Sequence, residues 1–177
     1  MTFAHRLAER DDLPAMEALM RASIDELQAG YLDAAQVVAS HEIMGIDRQL
    51  VDDGTYFVLF DGEALVGCGG WSARRTLFGG DHSLAQRAPE PLDPARDAAR
   101  IRAMYTHPRH ARRGIGKLIL ALSEQAARKS GFARAELMST LAGHDFYARA
   151  GYADIEPASH TGANGAVVPL VRMGKRL

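Results

Sequence analysis

Residues 101–122 change their hydrophobic period at a proline, and the change predicts a strand followed by a helix. The apolar run over residues 101–106 predicts a strand that ends at His107-Pro108, because proline donates no ladder hydrogen bond and pushes the preceding residue towards extended geometry. Beyond a short polar turn, four apolar residues recur at helical spacing and predict a buried stripe: Ile115, Leu118, Ile119 and Leu122. The helix is expected to begin near Gly114 and to end at Lys129-Ser130-Gly131.

The same criteria divide the rest of the chain into further elements. Runs of apolar residues, and runs in which apolar and polar residues alternate, predict strands over residues 2–9, 55–60, 63–72, 132–139, 152–155 and 167–173. Helical spacing predicts a helix that begins at Leu13, after an aspartate cap, and ends before Gly30. Shorter helices are predicted over residues 31–40, 46–51 and 141–150. The stretch 74–96, rich in glycine and proline, is expected to be a long irregular loop.

The turn between the strand at 101–106 and its helix combines glycine with positive charge. Glycine allows an anion to approach the backbone, and the first N–H groups of a helix lack internal partners. We therefore predict a phosphate-binding turn suited to a polyanion; its basic and glycine residues are Arg109, Arg112, Arg113, Gly114, Gly116 and Lys117. The alternative is a solvated arginine pair before an ordinary helix. No Gly-Lys-Ser/Thr follows, and the third glycine of a dinucleotide fingerprint is missing.

Two stretches together resemble the GNAT-type N-acetyltransferases. His107-Pro108 followed by Ala111-Arg112-Arg113-Gly114-Ile115-Gly116 resembles the acyl-coenzyme A loop of that family, Arg/Gln-x-x-Gly-x-Gly/Ala, with Ala111 at the Arg/Gln position. About thirty residues later, Phe-Tyr-Ala-Arg-Ala-Gly-Tyr over residues 146–152 resembles its FYxxxGF signature. The asparagine that the family places before this second helix is not evident, because Ser139-Thr140-Leu141 occupies the region.

The resemblance implies a fold and a cofactor-binding mode. The expected fold class is α/β, an α+β sandwich with a mixed, mostly antiparallel sheet of about seven strands and helices on both faces, in one domain over residues 1–177. The fourth and fifth strands are expected to splay apart, with pantetheine against the backbone of Met104, Tyr105 and Thr106. The pyrophosphate is assigned to the backbone of the turn: Arg112, Arg113, Gly114, Ile115, Gly116 and Lys117.

The resemblance also implies the chemistry. It predicts direct transfer of an acetyl group from acetyl-CoA to a primary amine, with no covalent enzyme intermediate and no metal. Tyr147 matches the tyrosine that protonates the leaving thiolate in the family, whereas the alternative role for it is packing alone. Backbone N–H groups of the fourth strand are expected to polarise the carbonyl. A lysine-like amine, with a pKa of about 10.4, is protonated at neutral pH, so a base or a water path is also required.

Candidates for the acceptor side are scattered through the chain. The N-terminal helices usually form part of the acceptor wall in this family, and the residues there that could contact substrate are Asp25, Glu26, Tyr31 and His41. In the 74–96 loop, Asp81 and His82 stand out, and His82 is a possible general base or merely a solvated histidine. Trp71 either lines the pocket or packs, and Cys68 is predicted to be a buried small residue rather than a nucleophile.

Composition and charge narrow the function classes. The single cysteine permits no internal disulfide, which favours the cytoplasm, and neither a signal peptide nor a membrane span is evident in the sequence. Residues 1–66 carry 13 acidic and 4 basic residues and the remainder carries 9 and 17, a balance that suits an anionic cofactor and a small amine acceptor, and not a nucleic acid. A homodimer paired through an edge strand is a further prediction. The alternative functions are a non-catalytic acyl-CoA-binding domain and an unrelated nucleotide-phosphate-binding protein.

Overall fold

The computed structural model describes residues 3–177, which build one seven-stranded sheet. Its strand order is β1-β2-β3-β4-β5-β7-β6. Neighbouring strands are antiparallel except for the parallel pair β4–β5. The strands are β1 (Ala4–Leu7), β2 (Tyr56–Asp61), β3 (Ala64–Ser72), β4 (Ala99–Thr106), β5 (Arg134–Thr140), β6 (Ala153–Thr161) and β7 (Val167–Arg176).

Helices cover both faces of the sheet. They are α1 (Leu13–Leu27), α2 (Ala34–Ser40), α3 (Arg48–Asp52), α4 (Ile115–Lys129) and α5 (Leu141–Arg149). Along β2, Tyr56 and Val58 share a buried cluster with the methionines of α1, whereas Phe57 and Leu59 pack with Ile115 of α4. Because successive side chains of a strand point to opposite faces, α1 and α4 lie on opposite sides of the sheet.

Glycines in β3 bring α4 close to the sheet. A Cβ atom on Gly67 would lie 2.3 Å from Cγ2 of Ile115, and one on Gly69 would lie 2.7 Å from Cγ2 of Ile119. Neither position can hold a side chain while the helix keeps its place, because real Cβ contacts are not this short. The start of α4 is therefore seated tightly on the middle of the sheet, directly after the end of β4.

The two central parallel strands separate after a short contact. Within the described residues, the ladder between β4 and β5 contains only the pairs Ala99–Ala135 and Arg100–Glu136. On the other edge of β4, the register against β3 shifts between Cys68 and Gly70, next to Ala103, whose φ is +50°. Such a bulge bends a strand and increases its twist, so the end of β4 turns away from β5 and opens a cleft.

The expected fold is confirmed, with corrections at the ends of some elements. The helix predicted over 31–40 begins only at Ala34, because Asp33 takes the N-cap position and accepts a hydrogen bond from Gln36 N at 2.8 Å. Asp12 precedes α1 but does not cap it, since its carboxylate binds Arg6 and the backbone N–H of Glu9. The predicted first strand included Thr2, which lies outside the described residues.

The remaining differences concern strand length and the long loop. β6 and β7 extend well beyond their predicted ends, to Thr161 and Arg176. The stretch 74–96 is irregular, as predicted, but contains a 3-10 turn (Leu84–Gln86) and a bridge between Arg74 and Pro91. None of the helices formed by residues 3–177 has the length and apolar character needed to cross a membrane.

Candidate active site

A cleft of about 910 Å³ opens where β4 and β5 separate. On one side it is bounded by the end of β4, the turn that follows and helix α5. Met104, Tyr105 and Thr106 all line it, and so do Arg112, Lys117 and the residues between them other than Arg113. The structure therefore brings eight of the nine residues predicted to bind the cofactor to one cleft, together with Tyr147.

The backbone of the turn between β4 and α4 is concave. Arg112 and Gly114 have φ values of +62° and +86°, and Gly114 occupies the N-cap position of α4. Alternation of right-handed and left-handed residues turns successive N–H groups towards one side, and these add to the unpaired N–H groups of the first helical turn. A concave turn with unpaired N–H groups of this kind is suited to binding a phosphate group.

The side chain of Arg113 points elsewhere. Its guanidinium lies 2.9 Å from Asp61 Oδ2 and 5.5 Å from the ring centre of Phe3, and it does not line the cleft. Only the backbone of this residue is therefore available to the turn. Arg112 and Lys117 are the exposed cations that border the cleft here.

Gly116 leaves little space between the turn and α5. A Cβ atom on this residue would lie 3.4 Å from Cζ of Phe146, which is ordinary contact distance. Any atoms beyond Cβ would enter the cleft or press on that ring. The glycine therefore keeps the cleft open at the point where the first turn of α4 faces α5.

Tyr147 lies on α5 and lines the cleft. Its ring packs edge-on against Phe146 and Tyr152, at centroid distances of 5.0 and 5.9 Å. Within residues 3–177 its hydroxyl makes no hydrogen bond. Burial raises the pKa of this phenol above its ordinary value of 10.0. A raised pKa means that the proton is retained to higher pH, so the group is a hydrogen-bond donor throughout the neutral range.

The opposite side of the cleft is mostly apolar. We call it the apolar wall and define it as Leu27, Gln28, Tyr31, Met44, Leu77, Phe78, Met138 and Leu170. These residues come from the end of α1, the segment before α3, the 74–96 loop, β5 and β7. Tyr105 joins the two sides, because its hydroxyl accepts a hydrogen bond from Gly45 N at 2.8 Å.

A buried ion-pair network, which sequence reasoning missed, holds the loop against the sheet. Arg102 of β4 is 3% exposed and donates to Asp47 Oδ2 at 2.8 Å, to Thr76 O and to Gly79 O. Asp47 also accepts from Arg87 at 3.0 Å. Burial lowers the pKa of Arg102 from its ordinary value, although the Asp47 carboxylate opposes this effect. The available sequence signal was an arginine between the apolar residues Ile101 and Ala103 of a predicted strand.

Several residues predicted for the acceptor side lie outside the cleft. Asp25 pairs with His41 at 2.7 Å on the surface, and Glu26 is exposed. His82 donates from Nε2 to His41 O at 2.7 Å and thus fastens the loop rather than facing the cleft. Asp81 is occupied by Arg48 and Arg87.

The two remaining predictions concern a tryptophan and a cysteine. Trp71 packs edge-on against Phe132 at 5.9 Å and does not line the cleft, which favours the packing alternative. Cys68 is fully buried, and burial raises the pKa of its thiol to about 12, so it holds its proton as predicted for a structural residue. Of the four N-terminal candidates for substrate contact, only Tyr31 borders the cleft.

The cleft offers little that can act as a base. Among the described residues that line it, Asp145 on α5 carries the only carboxylate, and none is a histidine. The described part of the chain also contains no group of three His, Cys, Asp or Glu residues placed to hold a metal ion. Side chains that could accept a proton are therefore few among the described residues that line the cleft.

Comparison with known proteins agrees with this geometry. The sequence model of the Acetyltransferase (GNAT) family matches residues 16–152, so the chain belongs to this family and is an acyltransferase. No curated protein matches the sequence.

Solved structures share the fold at low sequence identity. A GCN5-related N-acetyltransferase of Rhodopseudomonas palustris is 18% identical, with a TM-score of 0.73 over 100% of this chain and 97% of that one. The PaiA N-acetyltransferase of Thermoplasma acidophilum, solved with coenzyme A, is 15% identical, with a TM-score of 0.66 over 100% of both chains. The ribosomal-protein-S18-alanine N-acetyltransferase of Escherichia coli is 14% identical, with a TM-score of 0.60 over 99% of this chain and 94% of that one.

Proposed function

We propose that this protein transfers the acetyl group of acetyl-CoA directly to a primary amine, with both substrates bound in the cleft together. The observation that carries the proposal is the meeting, in one cleft, of a concave basic turn and a half-buried tyrosine whose hydroxyl makes no hydrogen bond within residues 3–177. The similar PaiA enzyme holds coenzyme A, and the similar S18-alanine enzyme acts on an amine of a ribosomal protein. Both support this substrate pair.

Each part of the cleft has an assigned role. The backbone of residues 112–117 holds the pyrophosphate, and the free edge of β4 from Met104 to Thr106 holds pantetheine. The neutral amine nitrogen attacks the thioester carbonyl carbon and a C–N bond forms. The nitrogen then loses its extra proton to solvent, and the C–S bond breaks. Tyr147, which the raised pKa of its phenol keeps protonated, donates a hydrogen bond to the departing sulfur and passes its proton to the thiolate as the phenol regains one from solvent. Backbone N–H groups of β4 stabilise the oxyanion.

In this proposal the protonated acceptor amine loses a proton to solvent before it attacks the thioester. Among the described residues that line the cleft, the only carboxylate is that of Asp145 on α5, and the eight residues of the apolar wall carry none. The rate at low acceptor concentration should then rise with pH up to the pKa of the amine itself. The high pKa of Tyr147 should prevent a second, falling limb below about pH 10.

The alternative function is a non-catalytic acyl-CoA-binding domain, which would keep the turn and need no tyrosine acid. The unpartnered hydroxyl of Tyr147 favours the enzyme. A cytoplasmic location, a small-molecule acceptor, a homodimer and a single domain stay predictions from the sequence.

Replacing Tyr147 with phenylalanine tests the proposal. We expect kcat for amine-dependent thiol release to fall by about 10- to 100-fold, because the thiolate then leaves without a proton donor. Acetyl-CoA affinity measured by calorimetry should change by less than about twofold, since the ring and the turn remain. The pH profile of the residual activity should retain the limb set by the amine.

Tyr152→Phe is the matched control. Its hydroxyl donates to Glu124 at 3.1 Å and does not line the cleft. This variant should lose about 1 kcal/mol of stability and keep kcat. An unchanged kcat in Y147F would remove the acid role from Tyr147, and failure of the wild-type protein to bind acetyl-CoA would overturn the proposed function.

A further inference from the structure

The apolar wall presents partly exposed hydrocarbon to the cleft. Leu27, Met44, Leu77, Phe78 and Met138 are each half-buried although they lie inside the molecule. When a ligand covers apolar surface of this kind, the binding free energy becomes more favourable by about 25 cal/mol for each Å² removed from water. A ligand with hydrocarbon next to its amine would therefore be favoured there.

The only carboxylate among the described residues that line the cleft is that of Asp145 on α5, and the eight residues of the apolar wall carry none. The acidic residues of α1 nearest to it in sequence, Asp25 and Glu26, are exposed and do not line the cleft. The distal ammonium of a polyamine or a free lysine would lose water here without gaining an ion pair, which is costly. The overall acidity of the N-terminal part of the chain therefore does not extend to the acceptor side of the cleft.

Gln28 is the polar exception in the apolar wall. It follows the last residue of α1, is 5% exposed and lines the cleft. Its amide Nε2 donates to Thr140 Oγ1 at 3.3 Å, whereas its amide oxygen is buried and has no hydrogen-bond partner within residues 3–177. A buried acceptor without a partner costs about 1–3 kcal/mol, so an N–H donor that reaches this atom from the cleft would be favoured.

The position of Gln28 links the acceptor side to the reacting side. Its partner Thr140 is the N-cap of α5, where the Thr140 hydroxyl accepts from Gly143 N at 3.3 Å. The same helix carries Tyr147. The amide of Gln28 thus joins the end of α1 to the start of the helix that bears the proposed acid.

We propose that the acceptor is a primary amine carried on an apolar body, and that Gln28 accepts a hydrogen bond from an N–H group of that acceptor. The inference rests on the proposed acetyl transfer and adds the substrate class and a specificity residue to it. The apolar body occupies the space beside Leu77 and Phe78, and Gln28 orients the amine.

A panel of amines and one variant test this inference. Wild-type protein is assayed for thiol release from acetyl-CoA with 2-phenylethylamine and hexylamine, and with spermidine and lysine. We expect kcat/KM to be at least about tenfold higher for the two apolar amines. In Gln28→Met, which keeps the length of the side chain and removes its amide, KM for the apolar amines should rise by at least about tenfold. Acetyl-CoA affinity should stay within about twofold of wild type.

Gln49→Met is the matched control. Gln49 is half-buried and its amide donates to Asp53 at 2.9 Å, outside the cleft, so this variant should keep the wild-type KM for amines. Thermal melting of both variants checks that each is folded. Higher kcat/KM for spermidine or lysine, or an unchanged KM in Q28M, would overturn the inference while acetyl-CoA binding upholds the proposed function. Loss of acetyl-CoA binding by the wild-type protein would instead refute the proposed function.

Discussion

The two sides of the cleft are built in different ways. The turn side is nearly continuous in sequence, since residues 104–106 and 111–117 follow one another and α5 adds one further segment. Its proposed function depends on backbone N–H groups, which any sequence with the right turn provides. The apolar wall collects single side chains from five separate segments, and its shape depends on how these pack. The proposed cofactor site is thus built locally in the sequence, whereas the proposed acceptor site depends on the tertiary structure.

The two sides also differ in what holds them in place. The turn is fixed by glycine geometry and by the close seating of α4 on Gly67 and Gly69. The apolar wall is supported from beneath by the ion pair of Arg102 with Asp47, which positions the carbonyls of Thr76 and Gly79 and hence the residues between them. Variants can therefore disturb one side and spare the other.

The largest effect is expected from breaking the support of the apolar wall. Asp47→Asn keeps a side chain that can cap α3 but leaves the guanidinium of Arg102 buried without its counter-charge. We expect a loss of about 3 kcal/mol in the free energy of unfolding, because removing one partner of a buried pair strands the other. Urea denaturation measures this loss, and the KM for amine acceptors should rise while acetyl-CoA affinity stays close to wild type.

Asp52→Asn is the control on the same helix. Asp52 pairs with Arg10 at 2.7 Å, but the two side chains are 43% and 77% exposed, so the pair is worth at most about 1 kcal/mol. Equal stability of D47N and D52N would show that Asp47 does not support the wall. A weaker acetyl-CoA affinity in D47N would show that the two sides of the cleft are not independent.

The next largest effect is expected on the turn side. Gly116→Glu places a carboxylate beyond a Cβ that already contacts Phe146, in the space assigned to the pyrophosphate. Like charge and lost space should weaken acetyl-CoA binding by at least about a hundredfold, or about 2.8 kcal/mol, in calorimetry. The free energy of unfolding should change far less than in D47N, since Gly116 is half-buried and does not have a positive φ.

Gly30→Glu controls for the added charge. No atom lies within 4 Å of a Cβ built on Gly30, and the residue is exposed. This variant should bind acetyl-CoA as wild type does. If G116E also retained wild-type affinity, the assignment of the pyrophosphate to residues 112–117 would be wrong.

The sequence predicted the features that are contiguous along the chain, and it missed those that depend on contacts between distant segments. The family and the fold were predicted because the strand, the proline break, the glycine turn and the Phe-Tyr segment form contiguous patterns, and both were confirmed. Gln28 and Arg102 could not be assigned from the sequence, because their significance comes from partners 112 and 55 residues away. Asp81 and His82 misled for the converse reason. Their residue types suit catalysis, but their partners in the fold are arginines and a backbone carbonyl.

The smallest expected effect concerns the position at which this chain departs from its family. Ala111 lines the cleft where the family pattern has Arg or Gln, so the proposed phosphate binding would depend on the backbone and on neighbours such as Arg112. Ala111→Gln adds a donor at the cleft edge and should tighten acetyl-CoA binding by about two- to fivefold, or about 0.4–1 kcal/mol. Ala121→Gln, on the exposed face of α4, should leave the affinity unchanged. Weaker binding in A111Q would mean that the phosphates lie so close to this residue that only a small side chain fits, and the turn would then bind its ligand by shape rather than by added charge.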